Sequence, residues 1–264
     1  MIVLYETAAA HTNAGFIEEL NRFAVADLLV WDDWSDEGLE SLASQLKGQF
    51  VLFRVRRPHA SRFLEDRGVR LINRAEVNRV ANDKWQSFQL FQLLGLPAIP
   101  TYRAALEYPC IAKTEDGHGG VHVWLLESEQ DMPAVDVPLL YQPVVPHLAD
   151  VRAYVIGTEI VGAVKRSAQN GFKANFSLGA SVERFELTAV QRMDVEKIAK
   201  ALHSDYIGVD FLLLDDGRHL FNELEDPVGA RAFYQTHDDN IAQLLMQHIA
   251  KLEKEYPFRE PDLS

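Results

Sequence analysis

The chain has one cysteine and no long apolar run, and these shortages exclude several classes of protein. A single cysteine, Cys110, excludes an internal disulfide and any zinc site built on cysteines. No apolar run approaches the roughly 18 to 20 residues that a membrane-spanning helix needs. The start of the chain, MIVLYETAAAHTNAG, has no basic segment and carries Glu6, so it does not resemble a secretory signal. These features predict a cytoplasmic protein with no membrane partner.

Positive charge is also scarce: 26 lysines and arginines face 39 acidic residues, which gives a net charge of −13. This balance argues against a nucleic-acid backbone as the partner. Small anionic ligands such as nucleotides remain compatible with it, because local basic groups or magnesium can hold them. The basic cluster of the sequence is Arg54, Arg56 and Arg57, followed by Arg62, Arg67 and Arg70. It is either a solvated edge or a group near a ligand.

Over residues 1–73, short strands alternate with amphipathic helices. The segments MIVLYE, LLVWDD and FVLFRVR have the length of buried strands, and FIEELNRF and EGLESLASQLKG have helical spacing. This alternation predicts a small parallel α/β unit. Asn73 is predicted to cap one helix, and Asn82 to cap a second one, DKWQSFQLFQLL. The extended, proline-rich segment 97–104 then marks a boundary.

From about residue 105 the pattern changes to strands and turns. Five strand candidates follow one another: YPCIAKT, GVHVWLL, LLYQPVV, VRAYVIG and EIVGAVKR. The last two form a predicted hairpin around Gly157–Thr158. Thr188 and Gln191 have the spacing of a capping box and open a helix. A second hairpin, GVDFLLLDDGRHLFNELE, comes next, and Thr236 is predicted to start the final helix.

The second hairpin gathers three carboxylates. Asp216-Gly217 is a strong signal for a two-residue type I′ turn, which needs positive φ at both positions. That turn places Asp210 directly opposite Glu223. Side chains alternate between the faces of a strand, so Glu225 shares the face of Glu223. Spacing alone therefore brings the three carboxylates within reach of one another.

Apolar residues surround these carboxylates on both strands of the hairpin. Three ionised carboxylates in such surroundings repel each other and resist desolvation. A raised pKa, basic partners, water or a hard cation can each relieve this. Magnesium prefers carboxylates together with water and phosphate oxygens, so the group is a candidate magnesium site. The alternative is a strand end that points its carboxylates to solvent.

Four segments, in order, resemble the ATP-grasp fold, and most closely the RimK-type α-L-glutamate ligases. They are Asn82-Asp-Lys84 with the helix and LLGLPAIPT after it, CIAKTEDGHGGVHV, DVRAYVIGTEIVGAVKRSAQNGFKANFSLG, and GVDFLLLDDGRHLFNELE. The likeness implies an α/β (α+β) ATP-grasp fold, with a small N-terminal parallel α/β unit before two α+β subdomains that clasp ATP. The implied boundaries are 1–80 for the N-terminal unit and 81–256 for the ATP-grasp domain, with a lid subdomain at about 98–145.

The resemblance also assigns roles to single residues. The nucleotide-binding set that it implies is Lys84, Lys113, Gly117, Gly119, Gly120, Gln142, Val144 and Asp150. In this set the lysines would contact phosphates and the glycines would form a flap with His118 at its tip. The backbone of Gln142–Val145 would meet the adenine, and Asp150 would lie on the ribose side. The implied catalytic residues are Arg166, Lys173 and Asn175, and the implied metal ligands are Asp210, Glu223 and Glu225.

Three positions depart from the family pattern. Glu225 stands where RimK-type ligases usually have Asn, which adds a negative charge to the metal site. The segment 226–231 replaces a Ser-Pro-Gly loop, and Leu178 replaces an expected basic residue. Both of these changes fall where the family handles the acceptor or the acyl phosphate. Arg231 is therefore the candidate to replace the lost positive charge as a substrate-binding residue.

The implied chemistry is an ATP- and magnesium-dependent ligation of a carboxylate to an amine through an acyl phosphate, with manganese as a substitute ion. An amino acid such as glutamate is the expected added group. The chain lacks the Gly-x-Ser-x-Gly elbow and the P-loop motif, which agrees with a mechanism that needs no covalent protein nucleophile. A small-molecule kinase and a nucleotide-binding regulatory protein without chemistry remain as alternatives. The expected partners are small-molecule or peptide carboxylates and amines, and a second copy in a homodimer.

Overall fold

The computed structural model describes residues 1–117, 122–167 and 181–256. Several residues named above lie outside these ranges: His118, Gly119, Gly120, Lys173, Asn175 and Leu178. In the described ranges, no helix is both long and apolar enough to cross a membrane.

Four parallel strands form the front sheet, in the order β2-β1-β3-β4. The strands are β1 (Ile2–Tyr5), β2 (Asp27–Val30), β3 (Phe50–Phe53) and β4 (Arg70–Ile72). The helices between and after them are α1 (Thr7–Thr12), α2 (Ala14–Asn21), α3 (Asp36–Leu46), α4 (Pro58–Asp66) and α5 (Ala75–Ala81). Alternate strand residues pack against α2 on one face and against α3 and α4 on the other. The predicted parallel α/β unit is confirmed.

The predicted helix caps at Asn73 and Asn82 are wrong. Helix α5 starts after Arg74, and α6 (Lys84–Leu93) is capped by Asp83, whose carboxylate accepts from two backbone N–H groups of the first turn. Asn73 is buried and bonds to groups far along the chain, among them the backbone of Tyr206. A local cap pattern cannot show that an asparagine is recruited by a distant strand instead.

A three-stranded antiparallel sheet follows, in the order β6-β5-β7. Its strands are β5 (Cys110–Thr114), β6 (Val123–Leu126) and β7 (Leu139–Pro143), with a short 3₁₀ helix at Glu129–Asp131. This sheet lies within the range predicted for the lid subdomain, about 98–145. Its small core includes the buried Cys110.

A five-stranded antiparallel sheet, in the order β10-β9-β8-β11-β12, forms the floor of a cleft. Its strands are β8 (Ala149–Ile156), β9 (Glu159–Ser167), β10 (Ser181–Arg184), β11 (Tyr206–Leu213) and β12 (His219–Glu225). The predicted hairpin at Gly157–Thr158 is confirmed, with Gly157 at φ 62°. One face of the sheet packs on α6 and α7 (Ala189–Leu202), and α7 begins with the predicted capping box of Thr188 and Gln191.

The other face of this sheet packs partly on the front unit and partly on the last helices, α8 (Arg231–Tyr234) and α9 (Ile241–Glu255). Helix α9 starts after Asn240, whose side chain accepts from Gln243 N, so the predicted start at Thr236 is wrong. The Thr236 hydroxyl donates instead to Ala232 O at the end of α8.

Candidate active site

The three carboxylates of the β11–β12 hairpin converge on the face of the five-stranded sheet that looks toward the cleft. Asp210 pairs directly with Glu223, as predicted. One carboxylate oxygen from each of Asp210, Glu223 and Glu225 lies within 4.8 Å of the others. Asp210 is buried, whereas Glu223 and Glu225 are half-buried. Their neighbours on the strands, Val209 and Leu224, point the other way into the core, as the two-residue strand period requires.

The turn that closes the hairpin differs from the prediction. Leu214 N donates to Arg218 O, so three residues form the loop, and Gly217 alone among them has a positive φ, of 83°. The two strands therefore start one residue out of the predicted register. A bulge at Asn222 then absorbs one residue, and the pairing of Asp210 with Glu223 is restored.

Arginines neutralise Asp210 at both of its oxygens. Arg152, its partner across β8 and β11, donates from Nε at 2.7 Å and from Nη2 at 2.6 Å. Arg166 donates from Nη2 at 2.8 Å. Burial alone would raise the pKa of Asp210, but these two cations hold its pKa below the ordinary value. Asp210 is therefore ionised over the whole neutral range.

Glu225 also has two arginine partners, one from each side. Arg152 Nη2 donates to Oε1 at 3.0 Å, and Arg56 Nη2 donates to Oε2 at 3.2 Å. Gly208 packs closely beside this arrangement, because a Cβ there would stand 2.8 Å from Val228 Cγ2 and 3.2 Å from both Arg152 Cδ and Glu225 Cβ. The extra negative charge that Glu225 brings is thus balanced within the protein.

Of the three carboxylates, Glu223 is the one that pairs with no arginine in the described ranges. It accepts no hydrogen bond from any described residue, and the nearest described cation is Lys84 Nζ at 3.8 Å. Burial raises the pKa of Glu223, with the charges of Glu225 and Asp210 adding to the rise and Lys84 opposing it. Its free lone pairs beside two further carboxylates fit a hard cation such as magnesium, which takes one to a few carboxylates and leaves its other positions to water and phosphate.

A cleft opens above the carboxylates, between the three-stranded and five-stranded sheets. The cationic side chains that line it are Lys84, Lys113 and Arg166. Lys113 Nζ donates to Asn222 Oδ1 at 3.1 Å, and Arg166 Nε is buried with no partner among the described residues. Burial lowers the pKa of Lys113 to about 8, against the attraction of Glu223. These groups are suited to an anionic ligand that supplies the missing hydrogen-bond acceptors.

The far end of the cleft is lined by Gln142, Val144 and Asp150. The Gln142 side chain is fixed by its bond to Thr101 Oγ1 at 2.9 Å. Burial raises the pKa of Asp150, although Arg166 and His147 oppose that rise. Apolar side chains with a few polar groups are typical of the walls of a nucleotide-sized pocket.

Gly117 lines the cleft at a position that is too tight for a larger residue. A Cβ at this position would lie 2.4 Å from Thr114 Oγ1. That hydroxyl is buried and has no partner in the described ranges. The other two predicted flap glycines, Gly119 and Gly120, and the predicted catalytic residues Lys173 and Asn175 lie outside the described residues.

Arg231 does not line this cleft. It is exposed at the start of α8 and lines a second cavity, which the turn at Gly229 and Ala230 forms with helices α1 and α2 of the front unit. No described residue forms an ion pair with Arg231. Phe16 and Tyr234 give this cavity apolar walls.

Sequence reasoning missed Arg152, Arg56 and Asn222. Arg152 follows Asp150 by two residues, so the strand period would place both on the cleft face once Asp150 was assigned to it. Arg56 was visible as part of the basic cluster, but its partner Glu225 is 169 positions away. The role of Asn222 depends on the bulge, for which the sequence carries no signal that we recognise.

The fold and the site together define an ATP-grasp ligase. The solved structure of the ATP-grasp ligase PsnB complexed with its minimal precursor superposes with a TM-score of 0.70 over 95% of this chain and 99% of that one. Its sequence identity is 18%, so this likeness is one of fold. The model of the RimK-like ATP-grasp domain matches residues 96–249. The chain belongs to this family.

Two curated relatives show how close the kinship is. A probable alpha-L-glutamate ligase from Pasteurella multocida is 32% identical over 216 residues, covering 74% of this chain and 68% of that protein. N-acetylaspartylglutamate synthase A from Homo sapiens is 27% identical over 214 residues, covering 72% of this chain and 55% of the human protein. The predicted class, an ATP-grasp ligase that forms carbon–nitrogen bonds, is confirmed.

Proposed function

We propose that the chain joins a carboxylate to an amine in two steps that consume ATP in the presence of magnesium or manganese. The observation that carries this proposal is the position of Glu223, which has no arginine partner in the part of the chain that the structure describes, beside Asp210 and Glu225 under a cleft with two lysines. Bound magnesium would offset the charge that develops on the phosphate oxygens. Asp210, Glu223 and Glu225 would hold it.

In the first step, an oxygen of the substrate carboxylate attacks the γ-phosphorus of ATP, and ADP leaves. In the second step, the amine nitrogen attacks the acyl carbon, the phosphate leaves and an amide bond results. Lys84 and Lys113 bind the phosphates as movable charges, and Arg166 meets the transferred phosphate with its unpaired Nε. The catalytic and flap residues of this proposal also include Lys173, Asn175, Gly119 and Gly120. Gln142 and Val144 border the adenine, and Asp150 the ribose.

The substrates are proposed by likeness. Relatives are named for ligating glutamate or for making N-acetylaspartylglutamate, and PsnB was solved with a precursor peptide. We therefore infer a small-molecule or peptide carboxylate and an amino acid such as glutamate as the amine. Arg231, exposed in the cavity between α8 and the front unit, would bind an acidic group of one substrate.

The proposed organisation is an N-terminal unit over 1–80 and an ATP-grasp domain over 81–256, whose lid spans about 98–145. A cytoplasmic location and a homodimer remain predictions from the sequence and the family likeness. Size-exclusion chromatography with light scattering measures the oligomeric state directly.

The test of the proposed function is the rate of ADP release from ATP and magnesium over a matrix of carboxylates and amines, including N-acetyl-L-aspartate and L-glutamate. We expect ADP release to require one acid and one amine together. Glu223→Gln should lower this rate by about a thousandfold, because electrostatic stabilisation at a reacting phosphate is worth several kcal/mol. The matched control Glu159→Gln, at an exposed turn, should keep the rate.

Product analysis separates ligation from phosphorylation alone. A stable phosphorylated acid in place of an amide would identify a kinase. Undiminished ADP release by Glu223→Gln would refute the metal assignment.

A further inference from the structure

The chain leaves β12 at Glu225 and is then held by side chains from outside the sheet. Glu225 forms the last pair of the β11–β12 ladder, opposite Gly208, and residues 226–228 belong to no strand or helix. Six oxygens of residues 225–228 nevertheless accept hydrogen bonds from five side chains of the front unit and the end of α5, which are Arg54, Arg56, Asn73, Asn78 and Asn82. The position of this segment therefore depends on the front unit.

Asp226 is the residue that most of these bonds share. It is only 3% exposed, and each of its three oxygens accepts from a different asparagine. Asn73 Nδ2 donates to Oδ1 at 2.8 Å, and Asn78 Nδ2 donates to Oδ2 at 2.9 Å. Asn82 Nδ2 donates to the backbone oxygen at 2.8 Å. The backbone and the side chain of this buried residue are therefore both fixed, and its acceptors are satisfied as burial requires.

Two of the asparagines also tie this residue to other parts of the site. Asn82 lies two positions before Lys84, a lysine of the cleft whose Nζ is 3.8 Å from Glu223 Oε2. Asn78 Nδ2 also donates to Val55 O at 2.9 Å, in the segment that follows β3. The end of β12 is thus bound to two segments that supply cations to the carboxylates.

Glu225 needs this support because it stands at the end of its strand. No ladder pair follows it on β12. Magnesium demands near-ideal octahedral geometry, with oxygens at about 2.0 to 2.1 Å, so a small shift of one ligand weakens binding. Groups that orient metal ligands from outside typically contribute about 10- to 100-fold to the affinity for the metal. The bonds to Asp226 are suited to such a role.

We propose that Asn82 and Asn78 are positioning residues for the metal: through Asp226 they hold Glu225 where its carboxylate can join the other two around the ion. This inference rests on the proposed function, in which the three carboxylates bind magnesium or manganese. The asparagines themselves touch neither the ion nor the nucleotide. The part of the nucleotide affinity that the ion supplies therefore depends on them, whereas the affinity without an ion does not.

The test measures the binding of a non-hydrolysable ATP analogue to the full chain, once with manganese and once with EDTA and no added metal. The ratio of the two dissociation constants is the gain in affinity that the ion supplies, and it requires no turnover. Asn82→Ala removes the hydrogen bond to Asp226 O. We expect the gain to fall about tenfold, while the Kd in EDTA stays within about twofold. Asn82→Gln, which keeps an amide donor, should lose less of the gain.

Asn240→Ala is the matched control. Asn240 also links the last helices to the front unit, since its Nδ2 donates to Glu19 Oε2 at 3.0 Å, but it bonds to none of residues 225–228. Its side chain also caps α9, so the variant should lower Tm at least as much as Asn82→Ala does. The gain in affinity from manganese should nevertheless be unchanged.

Three results would overturn the positioning role: an unchanged gain in Asn82→Ala, an equal loss of affinity with and without manganese, or an equal fall of the gain in Asn240→Ala. If Asn82→Ala does not fold, Asn82→Asp, which has the same size but no N–H to donate, takes its place with the same expected loss.

The outcome for the proposed function is separate. If the unaltered chain gains no affinity from manganese, the metal assignment fails and the positioning role with it. A clear gain together with no ADP release in the matrix of acids and amines would refute ligation and leave the positioning role standing.

Discussion

Asp210 and Glu223 face each other across one hairpin but have opposite surroundings. Asp210 is bound by Arg152 and Arg166, whereas the cation nearest to Glu223 among the described residues is a lysine at 3.8 Å. Spacing in the sequence treats the two carboxylates alike, because it says nothing about which cations the next strands supply. The structure therefore distinguishes Asp210, whose ion pairs also stabilise the fold, from Glu223, whose oxygens are available to a ligand.

Replacement of Asp210 tests this division. Asp210→Ala leaves two buried arginines without their shared partner, so we expect a loss of about 3 to 5 kcal/mol in the free energy of unfolding. Glu223→Gln should change it by less than about 1 kcal/mol. Urea unfolding without nucleotide measures both, with Asp136→Ala as an exposed control. An Asp210→Ala variant as stable as the unaltered chain would contradict the role assigned to this carboxylate.

Lys113 gives the proposed nucleotide site a pH dependence that can be measured. Burial lowers its pKa to about 8, so the ammonium is charged below pH 8 and neutral above it. A bound phosphate favours the charged form and raises that pKa. The affinity for a non-hydrolysable ATP analogue should therefore fall as pH rises above 8. Near pH 8, formation of the complex should be accompanied by uptake of a proton by Lys113.

Calorimetry at pH 8 in two buffers of different ionisation enthalpy measures this proton uptake. Lys113→Arg, which stays charged across the range, should abolish this contribution while keeping a cation at the site. Equal apparent binding enthalpies in the two buffers for the unaltered chain would contradict the assignment.

At the scale of elements, the β11–β12 hairpin shows how a correct prediction can rest on a wrong step. The predicted two-residue turn requires a positive φ at Asp216. The loop instead has three residues, and Gly217 is the one among them with a positive φ. The bulge at Asn222 shifts the register back by one, so Asp210 still meets Glu223. The bulge also lets Phe221 and Leu224 share one core, although an unbroken strand would point them to opposite faces.

Elements with strong periodicity or local capping chemistry were predictable, and elements decided by distant partners were not. The capping box of Thr188 and Gln191 is local and is present. Asn73 is of a residue type that caps helices, but its side chain bonds to Tyr206, 133 positions away. Thr236 is also of such a type, but its hydroxyl bonds back to Ala232 in the preceding helix. A cap depends on a competition between local and distant hydrogen-bond partners, and the sequence shows only the local ones.

The capping box offers a test at this scale. Thr188→Ala removes the acceptor of Gln191 N, and we expect about 1 kcal/mol less stability, or a fall of about 2 to 4 °C in Tm for a chain of this size. Thr12→Ala, whose hydroxyl only bonds back to Ala8 O on an exposed helix, should change Tm little. Affinity for an ATP analogue should be unchanged in both variants. A fall for Thr12→Ala as large as for Thr188→Ala would mean that capping is not the cause.

For the whole molecule, the front unit and the last helices share one hydrophobic core. Val3, Tyr5 and Ile17 of the front unit pack in the same cluster as Phe233 and Leu245. Asn73 adds a polar link, with bonds to both the N–H and the C=O of Tyr206 and to Asp226 Oδ1. The predicted boundary near residue 80 thus does not separate two independent cores, and we expect a single unfolding transition.

Asn73→Ala tests that link. The variant removes the hydrogen-bond partner of four buried groups: the N–H groups of Asp205 and Tyr206, the C=O of Tyr206 and one oxygen of Asp226. Each group left unsatisfied lowers the free energy of unfolding by about 1 to 3 kcal/mol. Tm should fall by well over 5 °C, with one transition retained. The control Asn21→Ala removes two local hydrogen bonds, one to Ile17 O in α2 and one from Ala26 N. Its Tm should fall much less. Two separate transitions in scanning calorimetry would show that the units unfold independently.

Ordered motifs predicted the overall fold, because the strands and lysines of the ATP-grasp half follow one another at characteristic distances. The contribution of the front unit to the site could not be predicted in this way. Arg56 comes from the front unit and reaches Glu225 only after the two halves of the chain pack together. A contact across 169 positions has no periodicity or spacing that a single sequence can show.

The arginines around Asp210 also bear on how the protein works over many turnovers. Since Arg152 and Arg166 balance that carboxylate from within, we expect the chain to stay folded when a chelator removes divalent ions, unlike domains that unfold when they lose their metal. Under the proposed function, each nucleotide would then arrive with its own magnesium and depart with it. The cell's supply of free magnesium would set the rate of this protein while leaving its lifetime untouched.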